Sequence, residues 1–170
     1  MVFAAIKQLY KVEIMEFEDI YKTYWDRIFR LCMGFVNDYD IAQDIAQETF
    51  IIVWQKLETF RNESGIGTWI FRIASNNCLR EIEKEKRFPK SDLPMHLSEE
   101  KQTSIEPQIK FLYKCIAELP ETERIIISLE LEDLKQAEIA KIVGLSEANV
   151  RVKIHRIKEK LTQKFKENGK

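Results

Sequence analysis

The spacing of apolar residues predicts a chain of helices, with strong periodicity starting at Phe17. Between residues 17 and 35 apolar side chains recur every three or four positions, as they do along one face of an α-helix. The members of this stripe are Phe17, Ile20, Tyr21, Tyr24, Ile28, Leu31, Cys32 and Phe35. Gly34 and the Asn37–Asp38 pair then predict a turn. A second helix is predicted from about Asp40 to Leu57, burying Ile41, Ile45, Val53, Trp54 and Leu57.

The helical pattern breaks between Arg61 and Gly67, which predicts a loop. Thr68 is placed to cap a third helix that continues to about Arg87. Trp69 in its first turn could suggest base stacking, but an aromatic residue at helical spacing more often belongs to the core. The pattern then disappears between Phe88 and Pro107, a polar stretch with three of the chain's four prolines. This stretch predicts an interdomain linker.

A second set of helices follows the predicted linker. An apolar stripe opens it, formed by Ile109, Leu112, Tyr113, Ile116 and Leu119. Pro120 can lie in the first turn of the next helix. The stretch from Ile125 to Leu131 is rich in β-branched residues and could be taken for a strand, but its position between helices favours a buried helix. The pattern therefore predicts an all-α protein with two small helical domains joined by a flexible linker.

The stretch from Leu134 to Lys164 has the pattern of a helix-turn-helix motif. Its first helix is predicted at about Gln136 to Val143, and Gly144 supplies the left-handed residue that ends it. Ser146 can cap the second helix through its hydroxyl. A buried stripe runs along that helix through Val150, Ile154, Ile157 and Leu161. The basic residues lie outside this stripe and form an outer face, which consists of Arg151, Lys153, Arg156, Lys158, Lys160 and Lys164.

Two interpretations of this motif are open. The second helix could enter the major groove of DNA, with its first turn at base edges and its flanks at phosphates. Alternatively, it could be a helical hairpin whose lysines keep the helix soluble, because charged runs are usually solvated. The agreement of turn, cap, buried stripe and basic face favours DNA binding. The lysines from Lys160 onward are weaker evidence for DNA binding, since cations also stabilise a helix C-terminus.

Composition narrows the function classes. The net charge is −1, so the whole protein should bind naked DNA weakly, although cations cluster at residues 72–90 and 151–170. The three cysteines are odd in number and widely spaced, which favours buried thiols in a reducing cytoplasm. Neither they nor His96 and His155 form a metal-ligand cluster, so no metal or cofactor is expected. No nucleophile–base pair, cleft acids or phosphate-binding glycine loop is evident, which argues against an enzyme.

The chain start and one acidic helix face carry two further predictions. No apolar run approaches a membrane span, and the first residues lack a charged leader and a cleavage site. Met15 is a plausible alternative start to Met1, because the periodic pattern begins just after it. Asp44, Gln47 and Glu48 lie three and four residues apart on one helix face. They could be an ordinary solvated face or a docking surface for a basic partner.

From about Phe17 to Phe165 the chain resembles bacterial sigma factors of the extracytoplasmic-function type, in the sigma-70 family. Residues 40–54 and 60–77 are similar to sigma region two, and residues 119–156 are similar to region four. The resemblance implies an N-terminal extension at 1–15, region two at 16–88, a linker at 89–107 and region four at 108–170. The two regions in this order, around a short linker, are strongly specific for the family.

The resemblance implies a promoter-specificity subunit of RNA polymerase and gives the residues roles. Polymerase docking on the beta-prime clamp helices is implied for Asp44, Gln47 and Glu48. Binding of the −10 element and its flipped base is implied for Arg61, Asn62, Glu63, Ser64, Arg72, Asn76, Arg80, Lys84 and Arg87, with Lys86 as a further cation. Recognition of the −35 element is implied for Ser146, Asn149, Arg151, Lys153, His155 and Arg156. The implied partners are core polymerase, including its beta flap, and promoter DNA. The resemblance implies no small-molecule substrate. A membrane-bound anti-sigma factor is a further partner that the family allows.

Some positions depart from the family pattern. Ser75 and Glu83 lie where basic residues are frequent, Ile66 where Phe is frequent, and Ile52 where Arg or Lys is frequent. These departures concern the contacts to the −10 element and its base preference. Two other function classes are open: a helix-turn-helix regulator that does not dock on polymerase, and a nucleic-acid enzyme that uses the motif for binding. The regulator usually carries a sensory domain, and the enzyme lacks a candidate site here.

Overall fold

The computed structural model describes residues 17–61, 63–87 and 106–168, and all of its regular elements are helical. In chain order they are α1 (Phe17–Val36), α2 (Tyr39–Lys56), a short 3-10 helix (Leu57–Thr59), α3 (Ile66–Arg87), α4 (Pro107–Ala117), α5 (Glu121–Leu131), α6 (Gln136–Val143) and α7 (Glu147–Asn168). The predicted all-α fold class is therefore confirmed. The predictions on the start at Met15, on most of the linker and on Asn62 lie outside the described residues.

Helices α1, α2 and α3 pack together as the first helical unit. Asn37 adopts a positive φ of 52° after α1, and the Asp38 carboxylate accepts a hydrogen bond of 2.9 Å from the backbone N–H of Ile41. The turn predicted at Asn37 and Asp38 is thus confirmed, because a short polar side chain tolerates the left-handed region and caps the following helix. Residues from all three helices fill the core, among them Ile28, Phe35, Val53, Ile70 and Phe71.

Helices α4 to α7 form the second unit, with α5 at its centre. The β-branched stretch is helical as predicted, and Ile126, Ile127 and Leu129 are almost fully buried. Helix α5 packs against α6 and α7 within this unit. The predicted stripe of α7 is also confirmed, since Val150, Ile154, Ile157 and Leu161 are all buried. Tertiary burial therefore overrides the weak helix propensity of β-branched residues.

The structure corrects several local predictions. Thr68 is not a cap, because α3 already begins at Ile66, inside the predicted loop. Trp54, predicted to be buried, is 63% exposed, and Ile109 at the start of α4 is 41% exposed. Gly34 is not part of a turn but lies inside α1, in the core. Periodicity identified each helix in these cases, but it did not fix which face meets the neighbouring helices.

The two helical units also pack against each other. Helix α1 contacts α4 and α5, and helix α3 contacts α5 and α6. The buried residues of both units therefore form one continuous core. Gly34 explains how closely α1 and α5 approach. A Cβ placed on Gly34 would lie 2.7 Å from the Ser128 Oγ atom, which is closer than real Cβ atoms come to a neighbour. The absence of a side chain at Gly34 therefore permits this contact.

We predict that Ile126→Ala lowers the free energy of unfolding by about 2–5 kcal/mol, the usual cost of truncating a buried aliphatic side chain. Ile126 is fully buried in α5, a helix that contacts α1 of the first unit and α6 and α7 of the second. Urea denaturation followed by circular dichroism measures the change. The matched control is Ile109→Ala, which removes a partly exposed side chain and should change stability by about 0.5 kcal/mol or less. Equal losses for the two variants would contradict the described core.

Candidate nucleic-acid interface

The helix-turn-helix motif has the local geometry that its sequence predicts. Helix α6 ends at Gly144, whose φ is 71°, and the Ala140 carbonyl accepts hydrogen bonds from the N–H groups of Gly144 and Leu145 at 2.9 and 3.1 Å. The Ser146 hydroxyl accepts a hydrogen bond of 3.2 Å from the N–H of Asn149, which caps α7. The turn and the cap together fix the angle at which α7 leaves α6, so Ser146 has a structural role in this motif.

The first turns of α7 present a compact polar surface to solvent. Its exposed members are Ser146, Asn149, Arg151, His155 and Arg156, and Lys153 beside them is half-buried. Arg151 is oriented by Gln136 at 3.2 Å and by Glu147 at 3.4 Å, while His155 lies 3.3 Å from Glu159. The structure therefore brings together all six residues predicted for the upstream element. These side chains can donate hydrogen bonds to base edges and phosphates.

Val152 is a member of this surface that sequence reasoning missed. It is 48% exposed on α7, and together with Arg151, His155, Arg156 and Glu159 it lines a shallow depression. An apolar residue on the side of a helix opposite its buried stripe is the signal that could have identified it. Such a side chain suits contact with an apolar group of a partner, including the methyl group of thymine.

The basic face predicted along all of α7 is shorter than expected. Lys158 pairs with Glu130 at 2.6 Å, Lys160 pairs with Glu123 at 3.0 Å, and Lys164 pairs with Glu118. Hydrogen bonding with Lys164 lowers the pKa of Glu118, and the same contact raises the pKa of Lys164. These pairs tie the second half of α7 to the preceding helices. Lys158 and Lys160 remain exposed, so these pairs offset the positive charge of the second half of α7 without burying it.

A second candidate surface surrounds the segment between α2 and α3. A cavity of about 450 Å³ lies here, lined by two aromatic residues and by cationic side chains. The rings of Phe60 and Trp69 are 4.8 Å apart between centroids. Lys56, Arg61, Glu63, Ser64, Arg72 and Lys141 are among the other lining residues. Trp69, predicted to be a core residue, thus also forms part of a cavity wall, and aromatic faces beside cations suit a nucleic acid base and its phosphate.

Most of the side chains predicted to contact the −10 element lie along α3. Arg72, Asn76, Arg80, Lys84, Lys86 and Arg87 are all exposed. Arg80 lies 3.7 Å from Glu48, and Lys84 lies 3.5 Å from Glu81 on the same helix. Of the positions that depart from the family pattern, Ser75 is buried, Glu83 is exposed among these cations, and Ile52 and Ile66 are half-buried. Burial of Ser75 excludes it from direct contact with DNA in this arrangement.

A third surface lies on α2. The side chains of Asp44, Gln47 and Glu48 are exposed on one face of the helix, as predicted for docking residues. Ile51 and Trp54 continue this face and are 56% and 63% exposed. Trp54 packs edge to face on Phe17, with 4.9 Å between ring centroids. The surface therefore combines two carboxylates with an apolar extension, which the sequence pattern did not indicate. We call these five residues the docking face.

Three cysteines lie in the interior of the part of the chain that the structure describes. Cys32, Cys78 and Cys115 are free and buried, as predicted. Hydrogen bonding with Cys78, 3.8 Å away, and burial raise the pKa of the Cys32 thiol, which makes it a poor nucleophile. Within residues 17–61, 63–87 and 106–168, no three His, Cys, Asp or Glu side chains lie together as metal ligands. In those same ranges no helix combines the length and the apolar character of a membrane span.

Comparisons with known proteins identify the family of the chain. The model of Sigma-70 region 2 matches residues 20–88, and that of Sigma-70, region 4 matches residues 112–161. The ECF RNA polymerase sigma factor SigW of Bacillus subtilis is 30% identical to this chain over 98% of each sequence. The ECF RNA polymerase sigma-E factor of Haemophilus influenzae is 28% identical over 95% of this chain and 94% of its own.

A solved structure has the same fold at lower sequence identity. It is the sigma factor RpoE in complex with the anti-sigma factor NepR from Bartonella quintana, with a TM-score of 0.72 and 18% identity. The match covers 88% of this chain and 96% of that one. The two regional matches and the relative that aligns over nearly the whole length agree with each other. The chain therefore belongs to the sigma-70 family of RNA polymerase sigma factors, in its extracytoplasmic-function group.

Proposed function

We propose that the protein is a promoter-specificity subunit that binds core RNA polymerase, recognises the −35 and −10 elements and promotes DNA opening. The observation that carries this proposal is the presence of three separate surfaces on one small chain. They are the docking face on α2, the aromatic and cationic cavity beside α3, and the polar surface on the first half of α7. We assign region two to residues 16–88 and region four to residues 108–170, with residues 89–107 as the linker.

The docking face fits the clamp helices of the beta-prime subunit. Asp44 and Glu48 supply negative charge for a basic partner, and Gln47 between them can donate and accept hydrogen bonds. Ile51 and Trp54 are exposed beside them and supply apolar contact area. Trp is enriched at the centre of protein interfaces, where charged residues usually lie at the rim.

The cavity beside α3 fits the capture of a flipped base of the −10 element. Removing a base from the stack costs a few kcal/mol, which stacking on aromatic rings and contacts to phosphates can offset. Phe60 and Trp69 supply the rings, and Arg61 and Arg72 supply cations at the rim. Arg80, Lys84 and Arg87 continue the cationic path along α3 toward the neighbouring nucleotides.

The first half of α7 fits the major groove at the −35 element. Arg151 and Arg156 can donate paired hydrogen bonds to a guanine, and Asn149 can contact an adenine. Val152 lies among these polar residues and suits contact with a thymine methyl group. Ser146 fixes the start of the helix through its cap.

The near-neutral charge explains why the protein would need polymerase. A net charge of −1 gives weak affinity for duplex DNA, because affinity depends largely on the number of phosphates neutralised. Core polymerase, docked through α2 and through the beta flap, would hold the two DNA-binding surfaces at one spacing so that both elements are engaged together. We place the protein in the cytoplasm, where its polymerase and DNA partners are found. An anti-sigma factor is a further proposed partner, because the RpoE structure described above contains one.

The promoter is obtained by selection. A library of duplexes with randomised upstream and downstream elements is incubated with a bacterial core polymerase and this protein, and the retained DNA is sequenced. We expect two conserved elements separated by a fixed spacing. Retention of the same DNA by polymerase alone would contradict the proposed specificity function.

We predict that the double variant Asp44→Lys/Glu48→Lys binds core polymerase roughly tenfold or more weakly, because like charges brought together at an interface cost several kcal/mol. Fluorescence anisotropy with labelled protein measures the affinity, and circular dichroism checks the fold. The control Asp19→Lys/Glu167→Lys makes the same change in net charge at exposed positions outside the docking face. Unchanged binding by a folded Asp44→Lys/Glu48→Lys variant would disprove the assignment.

We predict that Arg151→Ala weakens binding to the selected upstream element by about 1–3 kcal/mol and relaxes specificity at one base pair. The assay is competition between selected and mutated duplexes for the complex with polymerase. The control is Lys158→Ala, which removes a cation from the same helix at a position that pairs with Glu130. Equal effects of the two substitutions would mean that α7 contributes only positive charge to DNA binding and that Arg151 does not recognise a base.

We predict that Arg61→Ala slows promoter opening and leaves binding to the closed duplex unchanged, since Arg61 lines the cavity for the extruded base. Stopped-flow fluorescence of a 2-aminopurine placed in the downstream element follows opening. The control Lys22→Ala removes an exposed cation of α1 that pairs with Glu18. A loss of duplex binding with normal opening would place Arg61 outside the −10 site.

A further inference from the structure

The docking face has an exposed apolar end, and the chain enters α1 beside it. Ile51 and Trp54 are 56% and 63% exposed, and Tyr21 near the start of α1 is 39% exposed. Phe17, the first residue that the structure describes, packs edge to face on Trp54 and lies 6.2 Å from Tyr21 between ring centroids. Exposed apolar surface of this kind, bordered by charged residues, marks a site that another segment or partner covers.

The geometry of α1 and α2 sets the direction in which the preceding segment would run. Phe17 begins α1 and contacts Trp54 near the end of α2, and only residues 37–38 join the two helices, so α1 and α2 are antiparallel. A segment that precedes Phe17 and folds back along α2 would therefore run in the same direction as α2. Residues 15–16 are enough for this reversal, because residues 37–38 make an equally short connection between α1 and α2.

The sequence before Phe17 repeats the spacing of the docking face with complementary side chains. Steps of four, three and three residues separate Asp44, Glu48, Ile51 and Trp54, and the same steps separate Lys7, Lys11, Ile14 and Phe17. Helices side by side in one direction rise equally, about 1.5 Å per residue, so residues with equal spacing lie at equal heights. Each lysine would then lie at the height of a carboxylate. The last pair of this register, Phe17 and Trp54, is already in contact.

The segment also has a single face that suits this contact. Apolar and basic side chains recur there at helical spacing, namely Phe3, Lys7, Tyr10, Lys11 and Ile14. Glu13 lies outside this face, so the face is basic where the docking face is acidic. Arg80 of α3 lies 3.7 Å from Glu48 and offsets part of that acidic charge from the other edge. Charge and register together favour this segment of the chain as the occupant of the docking face.

We propose that residues 1–14 form a helix that covers the docking face and competes with polymerase for it. Lys7 faces Asp44, Lys11 faces Glu48, and Ile14 covers Ile51. Polymerase binds the fraction of molecules from which the segment has left, so the segment lowers the apparent affinity without changing the docking residues. This regulatory consequence rests on the proposed function, because it assigns the docking face to polymerase. The intramolecular contact does not depend on that assignment.

The contact is measured on the free 170-residue protein with a water-soluble carbodiimide. This reagent joins an amine to a carboxylate in direct contact, and it takes up the water that the new amide bond releases. Tryptic peptides analysed by mass spectrometry should contain the links Lys7–Asp44 and Lys11–Glu48. The ion pair of Lys158 and Glu130, at 2.6 Å, is the internal reference for the reaction. Formation of the reference link without either predicted link would overturn the proposal.

A mixture of isotopically heavy and light protein separates this contact from pairing of two copies. We expect both predicted links to join peptides of the same isotopic label. Links between heavy and light peptides would mean that a second copy covers the docking face, and they would overturn the intramolecular contact.

Exchange of the charges tests which residues face each other. Lys7→Glu/Lys11→Glu should lose both links and meet repulsion from the docking face. Adding Asp44→Lys/Glu48→Lys to it should restore links at the same two pairs of positions, with amine and carboxylate exchanged. A general change of charge would not restore links at these positions. Failure of the fourfold variant to regain them, while the reference link forms, would contradict the proposed register.

The effect on polymerase is measured by fluorescence anisotropy with variants that leave the docking face unchanged. Lys7→Gln/Lys11→Gln should bind core polymerase roughly threefold or more tightly than wild-type protein, because weaker pairing uncovers the docking face more often. The control Lys110→Gln/Lys166→Gln makes the same change of charge at exposed positions of region four and should leave the affinity unchanged.

Equal affinities of wild-type protein and Lys7→Gln/Lys11→Gln would overturn competition by the segment. Failure of every form to bind polymerase would instead overturn the proposed function, and the carbodiimide links would still decide whether the contact exists. The two failures are therefore distinguishable.

Discussion

Burial of α5 is the interaction on which the other surfaces depend. Its apolar residues pack on α1 in one direction and on α6 and α7 in the other. The position of α7, and with it the orientation of Arg151 and Arg156, follows from that packing. Glu132 follows the last turn of the same helix and is carried to the arginines of α1. One short hydrophobic helix therefore sets both the DNA-reading surface and the relation between the two regions.

Charge is divided between structural and functional sites along the chain. Glu123 and Glu130 of α5 and Glu118 in the turn before it pair with Lys160, Lys158 and Lys164, which offsets positive charge in the second half of α7. Arg151 and Arg156 in the first half are exposed, and we assign them to recognition of DNA. The net charge of −1 reflects 27 Lys and Arg against 28 Asp and Glu, and several of the lysines that suggest a nucleic-acid surface have acidic partners in the fold. Such exposed pairs add little stability but limit non-specific attraction to DNA.

Sequence reasoning succeeded where the determinants are local. Gly144 and Ser146 act through their own backbone and nearest neighbours, so the helix-turn-helix could be predicted in detail. It failed where a residue's surroundings come from distant parts of the chain. Thr68 has a typical capping side chain, yet its hydroxyl meets Glu138, and Trp54 has a typical core side chain, yet it is exposed. The pairing of Arg30 with Glu132 could not be predicted, because periodicity within a helix carries no information on which distant helix lies against it.

The most direct test of the account measures thymine reactivity to permanganate across the downstream element of the selected promoter. Three reactions are compared: the protein alone, core polymerase alone, and both together. The account predicts reactive, unpaired thymines only when protein and polymerase are both present. Reactive thymines with polymerase alone, or tight sequence-specific protection of the duplex by the protein alone without opening in any reaction, would contradict it.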